Sequence, residues 1–218
     1  MTAVRAAVFA AVALPALLAG CSSHPPDYQS IWTTTTTTTT ESDDPGERPV
    51  PIAEYLEDHG VKGQLVDPAD LTDLTVSIPT PPGWAKSTNR HYSPEAVVIA
   101  KDDDYPVAIL LVMKLDGDFD VAEAIRHGNA DAQLNENFTE LDASTADYQG
   151  FPSSSIEGSY DYLARRLHSY NRIVIATGAA PVAQRYLVQL TVTSLAEETV
   201  THSDDVESII DGFRVAVP

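Results

Sequence analysis

The sequence holds a single cysteine, Cys21, so no disulfide within the chain is available to staple its fold. Positive charge is also scarce. The chain has 13 Lys and Arg against 32 Asp and Glu, a formal net charge of −19. That balance argues against nucleic acid as a partner and against broad adhesion to anionic lipid, because both need clustered Lys and Arg. No apolar run reaches the roughly 20 residues of a membrane-crossing helix. The histidines, His24, His59, His91, His127, His168 and His202, stand singly, and none has a partner at the close spacing that puts two ligands on one helix face. Neither a metal nor a cofactor is expected.

Catalytic motifs are missing as well. There is no Gly-x-Ser-x-Gly elbow, and Ser153-Ser154-Ser155 reads only as the polar start of a strand. Asp102-Asp103-Asp104 lacks the alternating oxygen ligands, central glycine and distal glutamate of a calcium loop, and reads instead as a hairpin turn between Ala100 and Val107. Paired carboxylates have no discriminating power in so acidic a chain. The expectation is a protein that is not an enzyme, with a hydrolase as the least favoured alternative.

What is present begins at the N-terminus. Arg5, the apolar stretch Ala6 to Leu17 and the four residues Leu18-Ala19-Gly20-Cys21 form a signal peptide ending in a lipobox. Cleavage between Gly20 and Cys21 would free the thiol to carry diacylglycerol, and two acyl chains give durable anchoring. Residues 1–20 are therefore expected to be removed, with Cys21 as the lipid anchor to the cell membrane and the rest extracytoplasmic. The mature chain loses only Arg5 among its charges and becomes one unit more negative.

Residues 21–49 are rich in Thr, Ser, Pro and acid and have too few apolar side chains to offset the entropy of ordering a backbone, so they read as a disordered tether. Within them run Thr33, Thr34, Thr35, Thr36, Thr37, Thr38, Thr39 and Thr40. These are candidate O-glycosylation sites, or else an unmodified spacer. Asn137-Phe138-Thr139 fits an N-glycosylation sequon, with little reason for its use in a bacterial chain.

Residues 50–218 are long enough for one domain with its own core. Pro51 to Gly60 predicts a short helix with Ile52, Tyr55 and Leu56 inward. Leu74, Val76 and Ile78 alternate as a strand, and Pro79-Thr80-Pro81-Pro82-Gly83 turns into Trp84. Val97 to Ala100 follows, and then the continuous apolar run Val107 to Met113, which predicts a central strand covered on both faces. Asp120 with Glu123 is a capping box, opening a helix that carries Val121, Ala124, Ile125, Gly128 and Ala132. Ile156 to Tyr162, Leu167 to Thr177 and Tyr186 to Val192 read as an antiparallel meander, its last two strands joined through Gly178-Ala179-Ala180-Pro181. Ser203 is the expected N-cap of a closing helix with Val206, Ile209, Ile210 and Phe213 inward. The predicted class is α+β, a mostly antiparallel sheet between helices.

The lipobox, the Thr-rich tether, the opening Pro51-Ile52-Ala53-Glu54-Tyr55-Leu56, Pro82-Gly83-Trp84 and the three-strand meander together resemble the LpqN/LpqT family of mycobacterial lipoproteins over roughly Pro49 to Val217. The resemblance implies a PsbP-like α/β/α sandwich on the outer side of the membrane in actinobacteria. It also implies a role in envelope lipid or mycolate pathways or with protein partners, and it offers no catalytic motif to carry over.

Candidate recognition residues are Trp84, Tyr160, Tyr162, Arg165, Arg166 and Tyr170, since amphipathic aromatics and arginines favour binding. The Arg165-Arg166 pair suits a phosphate, sulfate or carboxylate, with the tyrosines covering a sugar or acyl chain. The competing reading has the aromatics filling the core and the arginines paired with acids. Two functions remain: a binding module for envelope lipid or glycolipid, and a tethered adaptor for another protein. They differ in whether apolar area is enclosed or exposed.

Overall fold

The computed structural model describes residues 48–101 and 105–218. The expectations placed on residues 1–47, including Gly20, Cys21 and the threonine run, and on Asp102 to Asp104 lie outside them. The element order is α1 (Ile52–Asp58), β1 (Lys62–Leu65), β2 (Thr75–Ser77), β3 (Ala85–Lys86), β4 (Val97–Ala100), β5 (Val107–Asp116), α2 (Val121–Arg126), α3 (Ala130–Gln133), β6 (Thr139–Ser144), β7 (Ser153–Tyr162), β8 (Arg165–Thr177), β9 (Arg185–Leu195), α4 (Thr199–Gly212) and β10 (Arg214–Ala216).

Eight strands form one antiparallel sheet in the order β3-β4-β5-β9-β8-β7-β6. The eighth, β1, shares an edge of β5 with β4: Val107 to Leu110 pair with β4, and Met113 to Asp116 pair with β1. Ala100 pairs with Val107. The meander β7-β8-β9 is as expected from its alternation. The strand around Val76 is not part of the main sheet. It pairs with β10 in a separate two-stranded ribbon, Val76 against Val215.

Both faces of the sheet are covered, which makes the fold an α/β/α sandwich. On the first face, Ala108, Leu110 and Val112 of β5, Val188, Leu190 and Val192 of β9, and Val174 and Ala176 of β8 pack under Ile209 of α4, Phe213, Trp84 and the ribbon residues Val76 and Val215. On the second face, Met113, Leu115, Ile173, Ile175 and Leu187 lie under Ile52, Tyr55 and Leu56 of α1 and Ala124 and Ile125 of α2. Each fully buried Val, Leu, Ile, Phe or Met among them contributes about 1.5–3 kcal/mol on burial.

Two helices depart from expectation. The capping box holds, with Asp120 Oδ1 accepting from the Glu123 amide at 3.0 Å, but the helix it opens ends at Arg126 and a separate turn, α3, follows. Gly128 sits against Ser154 of β7 so closely that a Cβ there would collide with the Ser154 hydroxyl, and Asn129 Nδ2 donates to the Ser155 carbonyl. The chain breaks its helix to lie down on the sheet. The last helix starts at Thr199, four residues before the expected Ser203 cap, because a 3-10 turn at Ala196–Glu198 carries the chain from β9 straight into it. Ser203 lies inside the helix, and its hydroxyl donates back to the Val200 carbonyl.

Candidate functional site

The six recognition candidates do not converge. Trp84 follows Gly83, whose φ of +83° lets the turn close with the Trp84 amide donating to the Pro81 carbonyl at 3.1 Å. This delivers the indole into the first-face core at 6% exposure. Its Nε1 donates to Asp205 Oδ2 at 3.2 Å, and Lys101 Nζ reaches the same oxygen at 2.7 Å. Those two bonds, the Lys101 one foremost, hold the Asp205 carboxyl below its ordinary value. Asp205 therefore ties α4 to the start of β3 through Trp84 and to the end of β4 through Lys101.

Tyr160 is buried on the opposite, second face, with Tyr162 packed partly against the same cluster. Arg165 is exposed just after the β7-β8 turn, and a shallow hollow of about 320 Å³ lies there between Ala164, Arg166, Leu195 and Glu197. Arg166 is fully engaged. It donates to the Asn137 carbonyl, Asp161 Oδ1, Thr139 Oγ1 and Ser159 Oγ at 2.8–3.0 Å, pinning the start of β6 to β7. Asn137 Nδ2 also donates to Asp161 at 2.7 Å, and with Arg166 it lowers the Asp161 carboxyl. The Tyr170 hydroxyl accepts from Arg172 Nε at 2.6 Å, and burial pushes its phenol up. The Arg172 guanidinium stacks over Tyr148 at 4.4 Å.

A different set of residues comes together on the second face. Beyond the helix-covered half lies a third apolar cluster: Val98, Val107, Ile109, Leu111, Tyr105, Tyr160 and Leu167, with Ala96. Among the described residues no helical side chain belongs to it. Its packing partners are Tyr92 of the 87–96 loop, Phe138 before β6, and strand residues such as Leu65. A hollow of about 400 Å³ adjoins it, lined by Tyr92, Ala96 and Val98 together with Lys86, Asn89 and Arg90.

Between the helix-covered and loop-covered halves sits a polar island. Ser169 pairs with Thr193 and Asn171 with Thr191, while Gln189 lies beside Ile173. All five polar residues are at most 6% exposed. Gln189 Nε2 donates to Asn171 Oδ1 at 3.0 Å, and the Thr191 hydroxyl donates to the same oxygen at 2.9 Å. Gln189 Oε1 is buried without a hydrogen-bond partner. An orphaned buried carbonyl costs about 1–3 kcal/mol, so it marks a place where a donor is wanted. The sequence hides this island. Gln189, Thr191 and Thr193 alternate with Leu190 and Val192, which reads as an ordinary wet face, and only the sheet's position shows both faces buried.

Comparison with known proteins places the chain. The family described as "Probable lipoprotein LpqN" matches residues 48–216. The chain belongs to the LpqN lipoprotein family. Lipoprotein LpqT of Mycobacterium tuberculosis is 58% identical over 211 residues, covering 96% of this chain and 93% of the relative. LpqT of Mycobacterium leprae is 53% identical, over 99% of both. The crystal structure of LpqN, described as involved in cell envelope biogenesis of Mycobacterium tuberculosis, superposes with a TM-score of 0.66 at 23% identity, covering 79% of this chain and all of that one. The family and its fold agree with the resemblance read from the lipobox, the first helix and Pro82-Gly83-Trp84. Among the described residues no helix of this family member is long and apolar enough to cross a membrane.

Proposed function

We propose that this protein is anchored through Cys21 on the outer side of the cell membrane, and that residues 50–218 bind an envelope lipid or glycolipid without transforming it. The observation that carries this reading is the second face of the sheet. An apolar half covered by loops alone runs into a neutral polar island with an unpartnered carbonyl at Gln189. An acyl chain suits the first part and a hydroxyl-bearing head group the second. Ser169, Asn171, Gln189, Thr191 and Thr193 contain no acid or base, so they can hold a ligand by hydrogen bonds but supply no proton transfer. A relative in the same family is described as involved in cell envelope biogenesis, which is consistent with a ligand drawn from that layer.

The test is to isolate the full mature chain from a mycobacterial host, denature it, extract with organic solvent and weigh the extract by mass spectrometry. A lipid present in stoichiometric amount, and lost from a folded Gln189→Leu variant, is the expected result. A clean protein from several preparations would sink the reading and shift the weight to recruitment of a protein partner.

A further inference from the structure

The chain as a whole has 32 acids against 13 Lys and Arg, but the stretch 86–101 reverses that balance, with Lys86, Arg90 and Lys101 against Glu95 alone. The Glu95 carboxylate is turned to its own loop, where it accepts from the Ser93 hydroxyl. Lys101 is held by Asp205. Lys86 and Arg90 are exposed, and among the described residues neither side chain has an ion pair or a hydrogen bond. Arg166, a sequence candidate for binding an anion, is by contrast saturated by its own neighbours.

Both cations line the hollow of about 400 Å³ beside Tyr92, and a second hollow of about 510 Å³ shares Lys86, Ser87, Thr88 and Asn89 with it. The polar groups between the two cations are arranged to donate. Ser87 Oγ accepts from the Asn89 amide at 3.2 Å, and Asn89 Oδ1 accepts from the His91 amide at 3.0 Å. The Asn89 carbonyl is taken by the Tyr92 amide at 3.4 Å. These acceptors are spent on the loop's own backbone, which leaves the Ser87 hydroxyl hydrogen and the Asn89 side-chain NH2 for a ligand. Among the described residues the Thr88 and Arg90 amides have no acceptor either. A concave place lined by donors and two unpaired cations suits a tetrahedral oxyanion, which accepts at every oxygen and pairs with guanidinium through two parallel bonds.

We propose that Lys86 and Arg90, with the donors of Ser87 and Asn89 between them, form a binding site for a phosphate or sulfate group. Tyr92, Ala96 and Val98 line the same hollow and give an apolar wall to whatever carries that group. The site stands apart from the polar island at Gln189, which holds no cation.

The experiment uses the full mature chain, labelled with nitrogen-15 and carrying Cys21→Ser so that no acyl chain is attached. Inorganic phosphate, added at constant ionic strength against chloride, should shift the Thr88 and Arg90 amide resonances along one saturable curve. A Lys86→Gln, Arg90→Gln double variant, shown to be folded by its unchanged remaining amides, should bind more weakly by about tenfold or more. Dihexanoyl phosphatidic acid below its micelle concentration separates the sources of the group. Tighter binding than phosphate, with the Tyr92 and Ala96 amides moving as well, assigns it to a lipid head group, and binding no tighter than phosphate assigns it to a soluble ligand. Absence of a saturable shift with phosphate, sulfate and phosphatidic acid alike overturns the site, and so does an unchanged curve in the double variant. Neither result bears on the lipid extraction or on Gln189→Leu, so this site and the proposed function fail separately.

Discussion

The two halves of the second face share strands β5 and β8, yet they are covered in different ways. One half has α1 and α2 over it, with Ile52, Tyr55, Leu56, Ala124 and Ile125 locked into Ile173, Ile175 and Leu187. The other half presents Ile109, Leu111, Tyr160 and Leu167 to loop side chains such as Tyr92 and Phe138. A helix makes its own backbone hydrogen bonds and can bury a stripe without rearrangement, whereas a loop holds its place through a few local bonds. Here the 87–96 loop is fixed by the Ser87 amide to the Val98 carbonyl and the Ala96 amide to the Ser93 carbonyl. The difference separates a region covered by regular helices from one whose cover rests on local loop bonds.

The largest test of that contrast is a pair of truncations. Leu56→Ala in the helix-covered half should cost about 2–5 kcal/mol in urea unfolding, toward the upper end because rigid helices cannot close the cavity. Leu167→Ala, equally buried, should fall at the lower end because loops can settle into the space. Equal costs would erase the distinction.

Gly128→Ala sharpens the same contrast from the helix side. The added methyl meets Ser154 Oγ, and the expected loss is about 1–3 kcal/mol by thermal or urea unfolding. Relief should appear in the Gly128→Ala, Ser154→Ala double variant.

Gln189→Leu probes the island between the halves. Removing the orphaned carbonyl returns about 1–3 kcal/mol while the two hydrogen bonds from Gln189 Nε2 to Asn171 Oδ1 and Thr191 Oγ1, worth about 0.5–1.5 kcal/mol each, are lost, so the effects offset and stability should change by no more than about 2 kcal/mol. A loss well above that would make the island a structural network rather than a binding element.

The smallest effect belongs to the first face, where Asp205 joins Trp84 and Lys101. Its native carboxyl is held below the ordinary value, so its contribution is full above the unfolded-chain value near 3.9 and is lost as pH falls through the lower native one. The melting-temperature difference between wild type and Asp205→Asn should therefore be present at neutral pH and shrink as pH drops below about 4. A difference that stays constant across that range would show that the carboxylate charge plays no part.

Much of the frame was legible. The run Val107 to Met113 is apolar at every position, which is the pattern of a strand with two covered faces, and β5 is that strand. Pro51 and the stripe Ile52, Tyr55, Leu56 specify α1 through local chemistry alone. The strands β1, β3, β6 and β10 were not legible, because two to six residues are too few to show a period and their pairing partners supply their order. The candidate site was less legible still. Trp84, Tyr160, Arg166 and Tyr170 are chemically suited to recognition, but the first two are core side chains on opposite faces and the last two are held by their own neighbours.

The sequence alone determined the α+β class, the central strand, the meander and the family, because each rests on contacts or patterns local to the chain. It also carries the short motif Leu18-Ala19-Gly20-Cys21, on which the proposed lipid anchor rests. Only the tertiary structure decided which alternating face is wet. Gln189, Thr191 and Thr193 have the pattern of a solvated edge, yet they lie at the middle of a sheet buried on both sides. Burial is a property of what packs across a face from distant parts of the chain, and no local period records it.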